Sequence, residues 1–268
     1  MTLPSQPDGS PSDAERRILD ATAQNAARHI LDSIAAHFVP DQEYVQVKED
    51  DYRHLDLGFY RRTTEALETR QFLRLPDVEN RTLAQAMGNV LQPVFIRPFL
   101  SPEGTTTVGI YHPRLKSWVL RVLLWLFRAA PGRTIDLETE FLDGSFVTTS
   151  NGMAAARLQP PPLIDALFLP YATPLQELLE RHEARVQNHQ RQSPRAVVRP
   201  VRSFEEMIAS QHRSERIKAA WRGEVGGVTR EELERLSLFG KGAAHEVHDQ
   251  IVQMRRQGGA PGQEESPR

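Results

Sequence analysis

Residues 133–151, RTIDLETEFLDGSFVTTSN, decide the fold reading. Apolar and polar residues alternate on both sides of Asp143-Gly144, a dipeptide suited to a two-residue β-turn. With that dipeptide as the loop, Phe141 faces Phe146, Thr139 faces Thr148 and Leu137 faces Ser150, and Ile135 extends the same side. The other side carries Asp136, Glu138 and Glu140, opposed by Val147 and Thr149. A period of two predicts an antiparallel hairpin with one side buried and the acidic side turned to water or a neighbour. A lone hairpin is marginal in water, so the flanks are expected to add strands and a helical cover.

Working outward, residues 105–112 (TTTVGIYH) are rich in β-branched side chains and predict the next strand. Residues 93–100 are extended, with two prolines that suit an edge. Residues 71–78 and 44–47 supply further short strands. Helices are predicted over 58–70, 82–91 and from a Ser12/Glu15 capping box to Pro40. Beyond the hairpin, Pro160-Pro161-Pro162 makes a rigid connector. Thr173 and Pro174 then open a helix whose stripe is Leu175, Leu178, Leu179, His182 and Val186. Ser203/Glu206 and Thr229/Glu232 have capping-box spacing, and Val247, Ile251 and Met254 repeat at helical intervals. The expected fold is α+β: an antiparallel sheet of four to five strands, helices on one face and a C-terminal helical appendage. The expected division is 1–12 as a disordered tail, 13–190 as the α+β domain, 191–200 as a linker, 201–257 as the appendage and 258–268 as a second disordered tail.

Between two strands lies the run 115–130, LKSWVLRVLLWLFRAA, apolar apart from Lys116, Ser117, Arg121 and Arg128. A helix greasy on nearly every side is buried or touches something other than water. Three placements are open. It packs on the sheet as a central core helix; or it lies in a membrane surface, with Trp118 and Trp125 at headgroup level and Lys116, Arg121 and Arg128 reaching lipid phosphates; or it docks on a protein partner. Sixteen residues make about 24 Å of helix, short of a membrane span.

The chain of 268 residues is 39% hydrophobic, 25% charged and nearly neutral at −2, which gives no global field toward nucleic acid or membrane. The absence of cysteine excludes disulfides, thiolate nucleophiles, zinc-thiolate sites and iron–sulfur clusters. Without an N-terminal charged and apolar leader, a cytoplasmic protein is expected.

Candidate chemistry is thin. Asp136, Glu138 and Glu140 stand about 7 Å apart along one strand face, a spacing open to acid–base or metal work, but an open face leaves carboxylates unperturbed. Residues 41–57 hold six acids and two cations without the glycine and distal glutamate of a calcium loop. His245 and His248 are three apart where a zinc-protease helix needs four. His182 and His189 flank an apolar stripe, where a hydrogen bond to backbone is the expected role. Residues 178–222 carry ten basic and five acidic residues with no aromatic platform, which fits solvated helix faces better than a nucleic-acid groove. No nucleophile elbow, phosphate loop or dinucleotide fingerprint occurs. The sequence therefore points to a non-catalytic module with no cofactor, metal or small-molecule ligand. Its expected partner is a protein or the inner-membrane surface, met through Trp118, Arg121, Trp125 and Arg128. Nucleic acid is not expected as a partner.

Overall fold

A computed structural model describes residues 23–25, 27–28, 30–32, 34–35, 38–117, 132–152, 158–193, 195–236 and 241–257. The tails read as 1–12 and 258–268 lie outside these residues, as does most of the run 115–130. The chain forms two compact units: Ala35–Glu224, and Met1–Ile34 together with Val225–Arg268.

The strands of the first unit are β1 (Tyr44–Gln46), β2 (Leu73–Arg74), β3 (Val78–Asn80), β4 (Arg97–Leu100), β5 (Thr107–Tyr111), β6 (Thr134–Glu140), β7 (Phe146–Ser150) and β8 (Ile164–Phe168). Its helices are α1 (Leu57–Glu68), α2 (Arg81–Met87), α3 (Leu175–Gln192) and α4 (Phe204–Glu224). β1 and β3 make a small antiparallel pair, and the rest form one sheet in the order β2-β4-β5-β6-β7-β8. The sheet therefore has six strands, not four or five, and is mixed, because β8 runs parallel to β7. A parallel neighbour needs a crossover of about a dozen residues, which the connection from β7 to β8 supplies. β4 is second in the sheet and not its edge. Two-residue β2 lies outside it, and the Pro98 carbonyl accepts from Leu75 N there.

The hairpin forms, one residue out of the expected register. Glu140 pairs with Phe146, Thr139 with Val147 and Leu137 with Thr149. The Phe141 N–H donates to the Ser145 carbonyl, so the loop is Leu142-Asp143-Gly144. Gly144 alone in it has positive φ (85°), and the Asp143 carboxylate accepts from Ser145 N and Oγ. This is a three-residue loop ending in a left-handed glycine, not a two-residue turn. A one-residue slip moves every β7 side chain to the opposite face. Val147 and Thr149 thus join Ile135, Leu137 and Thr139, while Phe146, Thr148 and Ser150 stand beside the acids.

The first face of the sheet is the main core. Phe99, Val108, Ile110, Ile135 and Leu137 pack with Phe59, Tyr60 and Leu67 of α1 and Leu178 of α3. Most of these side chains are fully buried, worth roughly 1.5–3 kcal/mol each in transfer terms. The second face is covered too, which corrects the expectation of helices on one face only. α4 begins over an apolar patch of Leu75, Leu100, Val201 and Met207 and continues over the acidic row. Residues 191–200 hold to the sheet through a Phe141–Val198 bridge and buried Ala196.

In the second unit, α5 (Arg230–Leu236) and α6 (Lys241–Gln257) pack together. Thr229 and Glu232 form the reciprocal capping box: Thr229 N donates to Glu232 Oε2 at 2.7 Å, and Glu232 N to Thr229 Oγ1 at 3.2 Å.

Candidate functional site

Strand alternation brings Asp136, Glu138 and Glu140 to one face of β6. That face is not open to water. Residues 207, 211, 214 and 218 share one side of α4 by their spacing of three and four. Gln211 Nε2 donates to Glu138 Oε1 at 3.0 Å, and Ser214 Oγ to Glu138 Oε2 at 3.3 Å. Arg213 grips both oxygens of Glu140 at 2.6 and 2.7 Å, and Arg199 adds an ion pair at 2.9 Å. Tyr111 Oη donates to Asp136 Oδ2 at 2.7 Å, and the Ser150 side chain also bonds that carboxyl.

Burial raises the pKa of Asp136, opposed by the bonds from Ser150 and Tyr111 and by the Lys218 charge. Burial likewise raises that of Glu138, opposed by Lys218 and Ser214 and reinforced by the neighbouring acids. Such carboxyls hold a proton more readily than solvated ones. Their oxygens, however, are already engaged: Glu138 by Gln211 and Ser214 of α4, Asp136 by Tyr111 and Ser150. The helix is pinned at two further positions. Glu215 accepts from Tyr44 Oη at 2.5 Å and from Gln42 N at 3.0 Å, and Arg216 pairs with Asp41 at 2.6 Å. The acidic residues 41 and 49 read against a calcium loop are thus in ion pairs, Glu49 with Arg97 at 2.6 Å. Among the described residues no group of three or more His, Asp or Glu converges to hold a metal.

His182 is buried between two sheet threonines. Its Nε2 is 2.9 Å from Thr139 Oγ1 and its Nδ1 is 3.0 Å from Thr149 Oγ1, so its partners are hydroxyls and not backbone. Burial, helped by the Arg185 charge, pushes its pKa down to about 3. His189 bonds Ser145 Oγ at 2.9 Å, and its ring lies tilted against that of Phe141, with centroids 4.6 Å apart. His245 meets Glu234 Oε1 at 3.1 Å. Of the arginines in 178–222, Arg185 pairs with Asp165 and Arg181 with Glu177.

Sequence reasoning missed the Arg97 cluster. Its guanidinium, 1% exposed, meets Asp77 Oδ1 and Oδ2 at 2.8 and 2.7 Å and lies over the Tyr60 and Phe95 rings. A lone arginine in a strand beside prolines gives no signal of a partner twenty residues away.

Trp118, Arg121, Trp125 and Arg128 lie outside the described residues. The feet of their segment are described. Leu115 bridges Leu91, Lys116 N donates to Val90 O at 2.9 Å, and Gln92 N donates to Arg114 O at 2.7 Å. Residues 115–117 are therefore a bridge and a bend, not the first turn of a helix. Tyr111, the last residue of β5, pairs with Thr134, the first of β6, so the connection 112–133 leaves and returns at one end of the sheet. Gly132 backs onto the Tyr171 ring so closely that a Cβ would sit 2.8 Å from it. Compared with known protein families, with curated proteins and with solved structures, the chain matches none.

Proposed function

We propose that this protein is a non-catalytic module that seats on a membrane surface through residues 115–130. The observation that carries the reading is the length and chemistry of one connection. Neighbouring antiparallel strands are commonly joined by two to five residues, yet β5 and β6 are joined by 22. Most of that insert is apolar, with no acid in it. The described helices α1, α3 and α4 already cover both faces of the sheet, so the sheet does not call for this run as its central cover.

The sequence of the run favours a lipid surface over a protein groove. In a helix, residues seven apart share a side. Trp118 and Trp125 form one such pair and Arg121 and Arg128 another. Tryptophan prefers the membrane–water boundary, and arginine reaches from it to phosphate. Sixteen residues make about 24 Å of helix, short of a membrane span, so a contact in the plane of the surface fits the run better than a crossing. The acid–base reading of Asp136, Glu138 and Glu140 is less well supported, because α4 already binds both oxygens of Glu138 and of Glu140, and Tyr111 and Ser150 bind Asp136. The nucleic-acid reading of 178–222 is weakened by the acids that already hold Arg181, Arg185, Arg199, Arg213 and Arg216.

Flotation with vesicles of mixed phosphatidylcholine and phosphatidylserine tests the proposal. Wild type is expected to float and Trp118→Asp/Trp125→Asp to stay in the soluble fraction. Equal recovery of both in the soluble fraction removes the reading.

A further inference from the structure

We infer that Arg114, Lys116 and Arg133, at the feet of the 112–133 connection, form a cationic collar that seats on anionic lipid headgroups. The inference rests on the membrane reading above and names the lipid class. The connection holds five cations, Arg114, Lys116, Arg121, Arg128 and Arg133, and no acid, in a chain whose net charge is −2. Three of the five are described: Arg133 and Arg114 flank the Tyr111–Thr134 pair at one end of the sheet, and Lys116 follows on the segment bridged to Leu91 and bonded to Val90.

The two arginines converge on a single turn. Arg114 donates through its guanidinium to the His54 carbonyl, and Arg133 Nη2 lies 2.5 Å from Asp56 Oδ2. Both act electrostatically on the His112 ring, whose pKa is lowered first by burial and then, against Asp56, by Arg133 and Arg114. Lys116 Nζ donates to the Gly88 carbonyl on the exposed side. A carbonyl orients a cation without cancelling its charge, so Arg114 and Lys116 keep theirs. Among the described residues the acid in ion-pair contact with the collar is Asp56, and the Arg133 side chain remains 56% exposed. Three cations, Arg114 part-exposed and Lys116 and Arg133 exposed, on the two chain segments that lead into and out of an apolar insert suit phosphate-bearing headgroups, since each cation near an anionic bilayer adds to partitioning and salt screens the effect.

The test compares wild type with Arg114→Gln/Lys116→Gln/Arg133→Gln on phosphatidylcholine vesicles, with and without phosphatidylserine. Wild type is expected to prefer the anionic vesicles and to lose that preference in high salt but not to inorganic phosphate at matched ionic strength. The triple variant is expected to partition on the order of a hundredfold more weakly. If it unfolds, Lys116→Gln alone is expected to lose several-fold. Equal binding to neutral and anionic vesicles, with the Trp118→Asp/Trp125→Asp variant still defective, overturns the collar and leaves the membrane reading standing. No binding to any vesicle overturns both. A duplex oligonucleotide shifted by wild type and not by the triple variant, without vesicle binding, also overturns the collar as a lipid site.

Discussion

At the scale of single residues, buried His182 ties stability to pH. His182 has a folded pKa near 3 against an ordinary value of 6.5, so it is neutral in the fold while the unfolded chain takes a proton. Its contribution is fully present above that ordinary value and is lost as pH falls toward 3, at up to about 1.4 kcal/mol per pH unit. Thermal unfolding from pH 7 to pH 4 should show a steeper fall in Tm for wild type than for His182→Gln, which can still bridge Thr139 and Thr149. Parallel slopes would show that His182 is not held neutral. The position of His182 on the apolar stripe was legible in its seven-residue neighbourhood. The two hydroxyls that bind it come from strands more than thirty residues away, and no local pattern announces them. Gly144 teaches the same lesson at shorter range. Asp143-Gly144 suits a two-residue loop and the last two positions of a three-residue loop equally well, and the bond that Ser145 N donates to the Asp143 carboxylate favours the second.

Among elements, the contact of α4 with β6 is where the fold departs most from expectation. Alternation correctly placed three acids on one face of β6, and capping-box spacing correctly started α4 near Ser203. What alternation cannot say is which helix lands on a polar strand face. The apolar residues of α4 do not gather into one stripe; its buried side chains include Ser210, Ser214 and Glu215. A polar helix face on a polar strand face looks solvated from either side alone. The match is in the charges: basic Arg213 and Lys218 against the β6 acids. β8 was missed for a different reason. IDALF is short and apolar without alternation, and its parallel partner is supplied by a distant crossover. The α4–β6 contact yields a pH prediction of the opposite sign to His182. Glu138 has a raised pKa in the fold, so stability is greatest below its ordinary value and declines as pH rises through the folded one. Glu138→Gln keeps an oxygen to accept from Gln211 or Ser214 and never ionises. Its Tm relative to wild type should therefore climb between pH 4 and pH 8. A constant difference, or a falling one, would mean that Glu138 is ionised at no cost beneath α4.

Over the whole molecule, the proposal places function at the sheet end where β5 hands over to β6. Each strand face has its helices, and the acidic row is a seam that holds α4. The 22-residue connection is the part of the first unit that the sheet does not explain. Its apolar character was plain in the sequence, and its flanks corrected the starting point of any helix by fixing Leu115 to Leu91. Of three tryptophans in the chain, Trp118 and Trp125 lie in this connection and Trp221 lies in α4. The Trp221 indole N–H finds no partner among the described residues, so Trp221→Phe sacrifices no hydrogen bond. In that background the fluorescence reports on the connection alone. The most direct measurement is quenching of that emission by lipids brominated on their acyl chains, in phosphatidylserine-containing vesicles. A blue shift with strong quenching is the predicted result. Emission that neither shifts nor quenches when vesicles are added would contradict the account.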